Sequence, residues 1–211
     1  MSELHGRRLN ELLAAAGLAS LQTEQYKRVI SYLSLILRWN ARTNLTAIRD
    51  EEGILARHFL ESIACARALP EGIATLLDFG SGAGFPGIPI AICRPEIDVT
   101  LAESQNKKAA FLMEAVRVLG LSARVHSGRA EELKSKFDCV TLRAVDKMSA
   151  AVSSAADLVA PGGWLALMTT VPGLEVLEVA AGSGFDWTRK LPLAGDTAKI
   201  LALGQKLSSQ V

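Results

Sequence analysis

Thr75-Leu76-Leu77-Asp78-Phe79-Gly80-Ser81-Gly82-Ala83-Gly84-Phe85-Pro86-Gly87 is the stretch that decides the fold. An apolar run that ends in an acid and passes into a glycine-rich turn reads as a buried strand followed by a tight loop. Glycine lets the backbone approach a bound molecule with no Cβ in the way. A helix starting just after the loop offers backbone N–H groups that have no partner within the helix. Strand, glycine loop and helix in this order predict a nucleotide-type crevice at the carboxyl end of a parallel strand.

Downstream, the pattern continues as strand–helix alternation. Strand one covers 74–79, and a helix begins after Gly84, with Pro86 and Pro89 confined to its first turn. Strand two covers 99–102. A helix over Asn106–Leu119 carries Phe111, Leu112, Ala115 and Leu119 on one face and Gly120 as its C-cap. Strands follow at 123–126 and 137–142. A helix over 147–159 stops before Pro161-Gly162-Gly163, and strand five covers 164–168. A further helix and strands near 185–191 and 198–203 complete the chain. The fold class expected is therefore α/β: a Rossmann-like, doubly wound, seven-stranded and mostly parallel sheet.

Upstream, residues 4 to 70 read as helical. Tyr26, Val29, Ile30, Leu33, Ile36 and Leu37 recur at helical spacing, as do Leu55, Phe59, Ser62, Ile63 and Ala66. Trp39-Asn40-Ala41-Arg42-Thr43-Asn44-Leu45-Thr46 between them favours a turn. The expected division is a helical extension over 1–72 and a cofactor-binding domain over 73–211. Hydrophobic residues make up 49% of the 211 and charged residues 21%, which predicts a packed core and argues against global disorder. The net charge of +1 announces no nucleic-acid partner, so RNA binding would need local basic patches. Cys65, Cys93 and Cys139 lack metal-ligand spacing and read as buried thiols of a reducing cytoplasm. No metal is expected. No secretory signal and no membrane-spanning run is read from the sequence, so the expected location is cytoplasmic.

The glycine spacing alone also fits a dinucleotide fingerprint, with Gly82, Gly84 and Gly87 followed about 20 residues on by the acid Glu103. Three details favour a different cofactor. Asp78 sits two residues before the first glycine, where a carboxylate can organise the turn and face a cationic ligand. Pro86 and Pro89 crowd the helix start that a pyrophosphate would need. A further acidic station, Gly128-Arg129-Ala130-Glu131, follows strand three and would border an adenine edge. A glycine loop, an acid ending strand two and polar residues after strand three make the arrangement of S-adenosylmethionine-dependent methyltransferases. Glu103 would then hold the ribose hydroxyls.

Three blocks of sequence resemble one family, the bacterial small-subunit ribosomal RNA guanine-N7 methyltransferases, also called glucose-inhibited division protein B. The first is Trp39-Asn40, Asn44-Leu45-Thr46 and Arg57-His58-Phe59-Leu60-Glu61-Ser62. The second is the run from Asp78 to Pro89, whose Phe-Pro-Gly-Ile-Pro end is its most specific part. The third is Glu103-Ser104, Lys107-Lys108 and Phe111-Leu112, continuing to Ala130-Glu131 and Leu142-Arg143-Ala144. The resemblance implies cofactor contacts at Gly80, Phe85, Ala130, Glu131 and Arg143. Asp78, Gly82, Glu103 and Ser104 complete the expected cofactor set. It also implies a target guanine in the decoding-region loop of 16S ribosomal RNA, or of the 30S subunit. Separately, the chain is expected to act as a monomer. Beyond residue 145 the match loosens, and Met168-Thr169-Thr170 stands where the family usually has a Lys-Gly pair.

The chemistry of such a target suits these residues. Guanine N7 has a free lone pair and no proton, so no general base is needed, and strand four is followed by Arg143-Ala144-Val145 instead of an amine-methylating Asn/Asp-Pro-Pro-aromatic motif. Arg143 is the candidate positioning residue. Because an arginine fork on the guanine edge would occupy N7 itself, the cofactor carboxylate, O6 or a phosphate is its better partner. RNA-binding candidates are Lys107, Lys108 and Arg129 after strand two, with Arg42 and Arg57 in the extension. His58 and Trp39 read as partly buried structural residues. Two other functions fit the same residues: methylation of a small metabolite beneath a helical lid, and a non-catalytic module that binds cofactor and RNA. An NAD-dependent oxidoreductase fits the glycine count alone.

Overall fold

Apolar runs too continuous for a one-sided sheet must be covered on both faces, and the computed structural model covers them so. It describes residues 2–194, 196 and 198–208, with side chains described from residue 7. The strands are β1 (Thr75–Phe79), β2 (Asp98–Ala102), β3 (Arg124–His126), β4 (Phe137–Arg143), β5 (Val159–Thr170), β6 (Phe185–Pro192) and β7 (Lys199–Lys206). They form one sheet in the order β3-β2-β1-β4-β5-β7-β6. The first five are parallel, and β7 runs antiparallel between β5 and β6.

Side chains alternate between two apolar layers, as the two-residue period of a strand requires. Leu76, Leu101 and Cys139 face α2 (Thr23–Asn40), α4 (Leu60–Ala68), α5 (Gly87–Cys93) and α6 (Asn106–Leu119). Leu77, Val140 and Leu165 face α7 (Met148–Leu158) and α8 (Val171–Ala181). The order reverses beside β1, whose Phe79 pairs with Ala102 of β2 and Leu142 of β4. Gly80, Glu103 and Arg143 therefore leave the sheet at one level, at the switch point where such sheets bind ligands.

The N-terminal region adds α1 (Ser2–Ala15), α2, and a helical segment made of α3 (Glu51–Gly53), a π-helical stretch Ile54–Phe59 and α4. Apolar packing runs continuously from α1 and α2 into the sheet. Tyr32 is its centre: the ring lies 5.4 Å from Phe59, 5.3 Å from Phe85 and 6.3 Å from Phe111. Its hydroxyl donates to the Ala83 carbonyl in the glycine loop. Of the six residues expected on the apolar face of α2, Val29, Leu33 and Ile36 are buried and Tyr26, Ile30 and Leu37 only partly covered, while Tyr32 and Leu35 join the buried face.

One expected boundary is corrected. Pro161-Gly162-Gly163 forms no turn ahead of strand five; β5 starts at Val159, opposite Phe137, with a register shift before Cys139. The shift breaks the ladder where proline cannot donate. A Cβ on Gly163 would stand 2.8 Å from the Asp138 carbonyl, so glycine is what lets the two backbones meet there. Among the described residues no helix is long and apolar enough to cross a membrane.

Replacing Tyr32 with Phe keeps the ring cluster and strips the Ala83 carbonyl of its buried donor. We expect urea unfolding to show a loss of about 1–2 kcal/mol, with the ring packing unchanged by near-ultraviolet circular dichroism.

Candidate functional site

The loop after β1 is held from beneath by Asp78. Its carboxylate is almost wholly buried and accepts from Thr141 Oγ1 at 2.9 Å and from the Gly87 N–H at 3.1 Å. Burial pushes its pKa up to about 6, opposed by the bonds from Thr141, Ser81 and Gly87 and by the charge of Arg143. A Cβ at Gly87 would collide with this carboxylate, so the start of α5 sits this close only because residue 87 is glycine. Asp78 thus organises the turn as the sequence suggests, but its side chain points under the loop and borders neither of the cavities above it.

From above, the loop is held by Glu103, 6% exposed. Its Oε2 accepts from the Gly82 N–H at 2.9 Å and its Oε1 from the Gln105 N–H at 2.7 Å. Gly80 (φ +71°) turns the chain, and a Cβ there would meet Val145 at 3.1 Å.

Two neighbouring cavities share Gly80, Ser104, Gln105, Val145 and Asp146. One, of about 490 Å³, lies between Phe79, Ala102 and α7 and is closed by Arg129, Ala130 and Glu131. The other, of about 660 Å³, is lined by Thr46, His58, Gly82, Phe85, Glu103, Lys108 and Arg143. Each volume is that of a typical small-molecule site. The predicted Gly80, Gly82, Phe85, Glu103, Ser104, Ala130, Glu131 and Arg143 are therefore brought together around one cleft, without Asp78. Ala144 and Lys147 in the rim loop after β4 both take φ +50°, an uncommon conformation for residues with a Cβ.

The helical extension supplies the far wall. Asn40, buried, accepts from the Leu45 and Thr46 N–H groups at 3.0 and 3.2 Å and so fixes the turn that the sequence places there. Thr46 Oγ1 then lies 2.7 Å from His58 Nε2. The imidazole stacks on Phe85 at 4.9 Å, and its Nδ1 is buried without a hydrogen-bond partner. Burial first, then the charges of Arg143, Lys199 and Arg57, push the His58 pKa down to about 3. His58 is therefore a neutral, half-buried part of the wall.

Arg143 borders the cleft as the sequence suggests and is also tied into the protein. Its Nη2 donates to Glu61 Oε2 and to the Arg57 carbonyl, both at 2.7 Å, and its side chain is 12% exposed. It is a buried strut between β4 and the extension with one edge on the cleft. Sequence reading assigned no role to Glu61 or Lys199. An acid among the apolar neighbours Leu60, Ile63 and Ala66 was the available signal for Glu61. Lys199 had none, because its position depends on β7 pairing beside β5.

The basic residues divide. Arg124 pairs with Asp98, and Arg129 with Glu131 at 3.1 Å. Lys107 and Lys108 form no ion pair among the described residues, and Lys108 borders the cleft. Arg42 and the side chain of Arg57 are exposed on the extension. Trp39 is half-buried, donating to Glu114 at 2.9 Å and packing edge-on against Phe111.

Comparison with known proteins gives concordant results. The profile of the family described as rRNA small subunit methyltransferase G matches residues 25–181. Ribosomal RNA small subunit methyltransferase G of Neisseria meningitidis serogroup A is 44% identical over 172 residues, covering 80% of this chain and 82% of that protein. The protein of the same name from Stenotrophomonas maltophilia is 46% identical over 158 residues, covering 73% and 74%. Among solved structures, a methyltransferase from Pyrococcus furiosus superposes with a TM-score of 0.63 at 14% identity, over 88% of this chain and all (100%) of that one. A predicted O-methyltransferase from Agrobacterium tumefaciens gives 0.59 at 20% identity, over 72% and 81%. These two share the Rossmann-like methyltransferase fold.

Asp78 and His58 bend stability with pH in opposite directions. The folded pKa of Asp78, about 6, lies above its ordinary 3.8, so the native state binds more protons in that window and stability falls as pH rises through it. The folded pKa of His58, about 3, lies below 6.5, so its contribution is full above pH 6.5 and is lost as pH falls toward 3. His58→Gln removes the second effect. Between pH 6.5 and 4.5 the variant should lose less stability than the parent, by on the order of 2 kcal/mol, in urea unfolding at several pH values.

Proposed function

This chain belongs to the rRNA small subunit methyltransferase G family, and from that premise we propose that it methylates N7 of a guanine in 16S ribosomal RNA, guanine 527, using S-adenosylmethionine. When bound, S-adenosylmethionine supplies a methyl group on a positively charged sulfur, which an in-line lone pair displaces while the carbon–sulfur electron pair stays with sulfur. Everything else is asked of the chain: to bind, to orient and to exclude water.

The observation that carries this reading is Glu103. Its two oxygens each take one backbone donor, from Gly82 and Gln105, while the carboxylate borders the cleft. A carboxylate accepts about four hydrogen bonds, so capacity remains for two ribose hydroxyls, and the same bonds hold the glycine loop in place. The apolar walls at Phe79, Ala102 and Ala151 suit an adenine, with Ala130 and Glu131 at its edge. Gly80, Gly82, Ser104 and Phe85 line the path between, and Arg143 offers a cation on the other side.

A guanine N7 target accords with the wall chemistry. His58 is too weak a base, at about 3, to take a proton near neutrality, and a ring nitrogen with a free lone pair asks for none. Orientation alone can supply about 7–11 kcal/mol in favourable cases. RNA phosphates would be met by Lys107, Lys108 and Arg129 around the cleft and by Arg42 and Arg57 on the extension, in the cytoplasm where 30S subunits assemble.

The direct test is transfer of labelled methyl from S-adenosylmethionine to 30S subunits lacking N7-methylguanine, with mass spectrometry of the nucleosides. Labelled 7-methylguanosine is expected; no label with active control subunits would remove the assignment. Gly80→Arg should abolish cofactor binding in calorimetry, and Glu103→Ala should weaken it at least tenfold, since both a charged acceptor and the loop anchor are removed. Lys107→Ala with Lys108→Ala should weaken RNA-substrate binding more than cofactor affinity, because Lys108 also borders the cleft. The slope of log affinity against log salt should become shallower by roughly 0.7–0.9 for each phosphate that the variant no longer neutralises.

A further inference from the structure

A third cavity, of about 260 Å³, opens beyond Arg143 and Ala144, which border it as well as the main cleft. Met148, Met168 and Leu193 give it apolar walls, and Thr169, Thr170 and Lys199 add polar groups. Glu61 sits at its back, 2% exposed, with one oxygen on each of two cations. Lys199 Nζ donates to Oε1 at 2.5 Å and Arg143 Nη2 to Oε2 at 2.7 Å. Lys199, 23% exposed, has three N–H donors, of which Glu61 takes one and Asp196 stands at 3.9 Å.

The cavity is smaller than a drug-sized site, and its apolar walls with a donor at Lys199 suit one weakly polar group with an acceptor at its edge. A nucleobase lifted out of its stack is such a group. We infer that this cavity receives the purine of the substrate nucleotide and that Lys199 donates a hydrogen bond to its O6. The inference deepens the guanine-N7 reading above and rests on it.

The choice of Lys199 follows from the guanine edge. O6 and N7 are adjacent acceptors on one edge, and an arginine fork spans both. N7 must stay free to attack toward the cleft. Arg143 also lines the cavity, but its guanidinium is pinned by Glu61 and the Arg57 carbonyl. An ammonium is a point donor and can hold O6 alone. It also selects the base, because adenine presents an amino donor where guanine presents O6, and two donors facing each other leave both unsatisfied. Glu61 is a positioning residue: it fixes Lys199 at the wall and does not touch the base.

The test uses 30S subunits lacking the modification, carrying either guanine or 2-aminopurine at the target position. 2-Aminopurine keeps N7 and the 2-amino group, lacks O6 and carries N1 without its proton, and the Lys199 variants separate the O6 contact from the N1 change. The parent protein should bind and methylate the guanine subunits about 10- to 100-fold better, the usual range for one charged hydrogen bond. Binding is measured without the methyl donor, so that it reads the base pocket alone. In Lys199→Met this preference should collapse, chiefly in substrate affinity, with S-adenosylmethionine affinity unchanged. Lys199→Met leaves the Glu61 carboxylate paired with Arg143, so no buried charge is stranded, and Lys199→Leu should give the same collapse. Glu61→Gln alone should lower the preference partway. If the parent protein forms 7-methylguanosine yet treats the two bases alike, or if the Lys199 variants keep the full preference, the pocket assignment is wrong. If the parent protein forms no 7-methylguanosine at all, the functional reading fails first, and the inference with it.

Discussion

Asp78 is the constraint on which the site rests. A carboxylate at the end of a central strand, with almost no exposure, carries a large desolvation cost. It persists because three elements need it at once: its oxygens take the Thr141 hydroxyl of β4 and the Gly87 N–H that begins α5, while its own backbone lies in β1. Those bonds do not offset the burial in full, and the raised pKa records the remainder. What is obtained is position. With β1, β4 and the start of α5 locked together, the loop between them turns in one way only, and the Gly82 N–H points at Glu103.

The two carboxylates therefore act as lower and upper clamps on one short loop. Asp78 is buried beneath the loop and lines neither cavity; Glu103 is partly shared with the cleft. Tyr32 adds a third clamp from outside the sheet, through the Ala83 carbonyl. This explains why the N-terminal helices pack into the main core: they are needed to hold the loop and to close the far wall with Thr46 and His58.

The parallel sheet and its seven strands were legible in the sequence because each buried strand is a short apolar run bounded by turn residues. The Asn106–Leu119 helix was legible to its ends, from its periodicity and the Gly120 cap. The glycine loop and Glu103 were legible because their spacing is local. Tyr32 was hidden because a phenol in an apolar stripe looks like any other core ring. Its role comes from Ala83, 51 residues away. The start of β5 was misplaced because Pro161-Gly162-Gly163 has the composition of a turn, and only the pairing with Phe137 makes it strand. Glu61, Arg143 and Lys199 meet across 82 and 138 residues of sequence, and no local pattern encodes such a meeting.

That last cluster also accounts for the state of His58. Arg143 and Lys199 stand near the imidazole, and their charges add to burial in keeping it neutral. An imidazolium there would set a third cation against the first two and repel a cationic ligand in the adjoining cleft. A neutral ring stacked on Phe85 does neither. The extension thus supplies a wall that is polar enough to be fixed by Thr46 and uncharged at physiological pH, while positive charge is confined to the side where Glu61 can balance part of it.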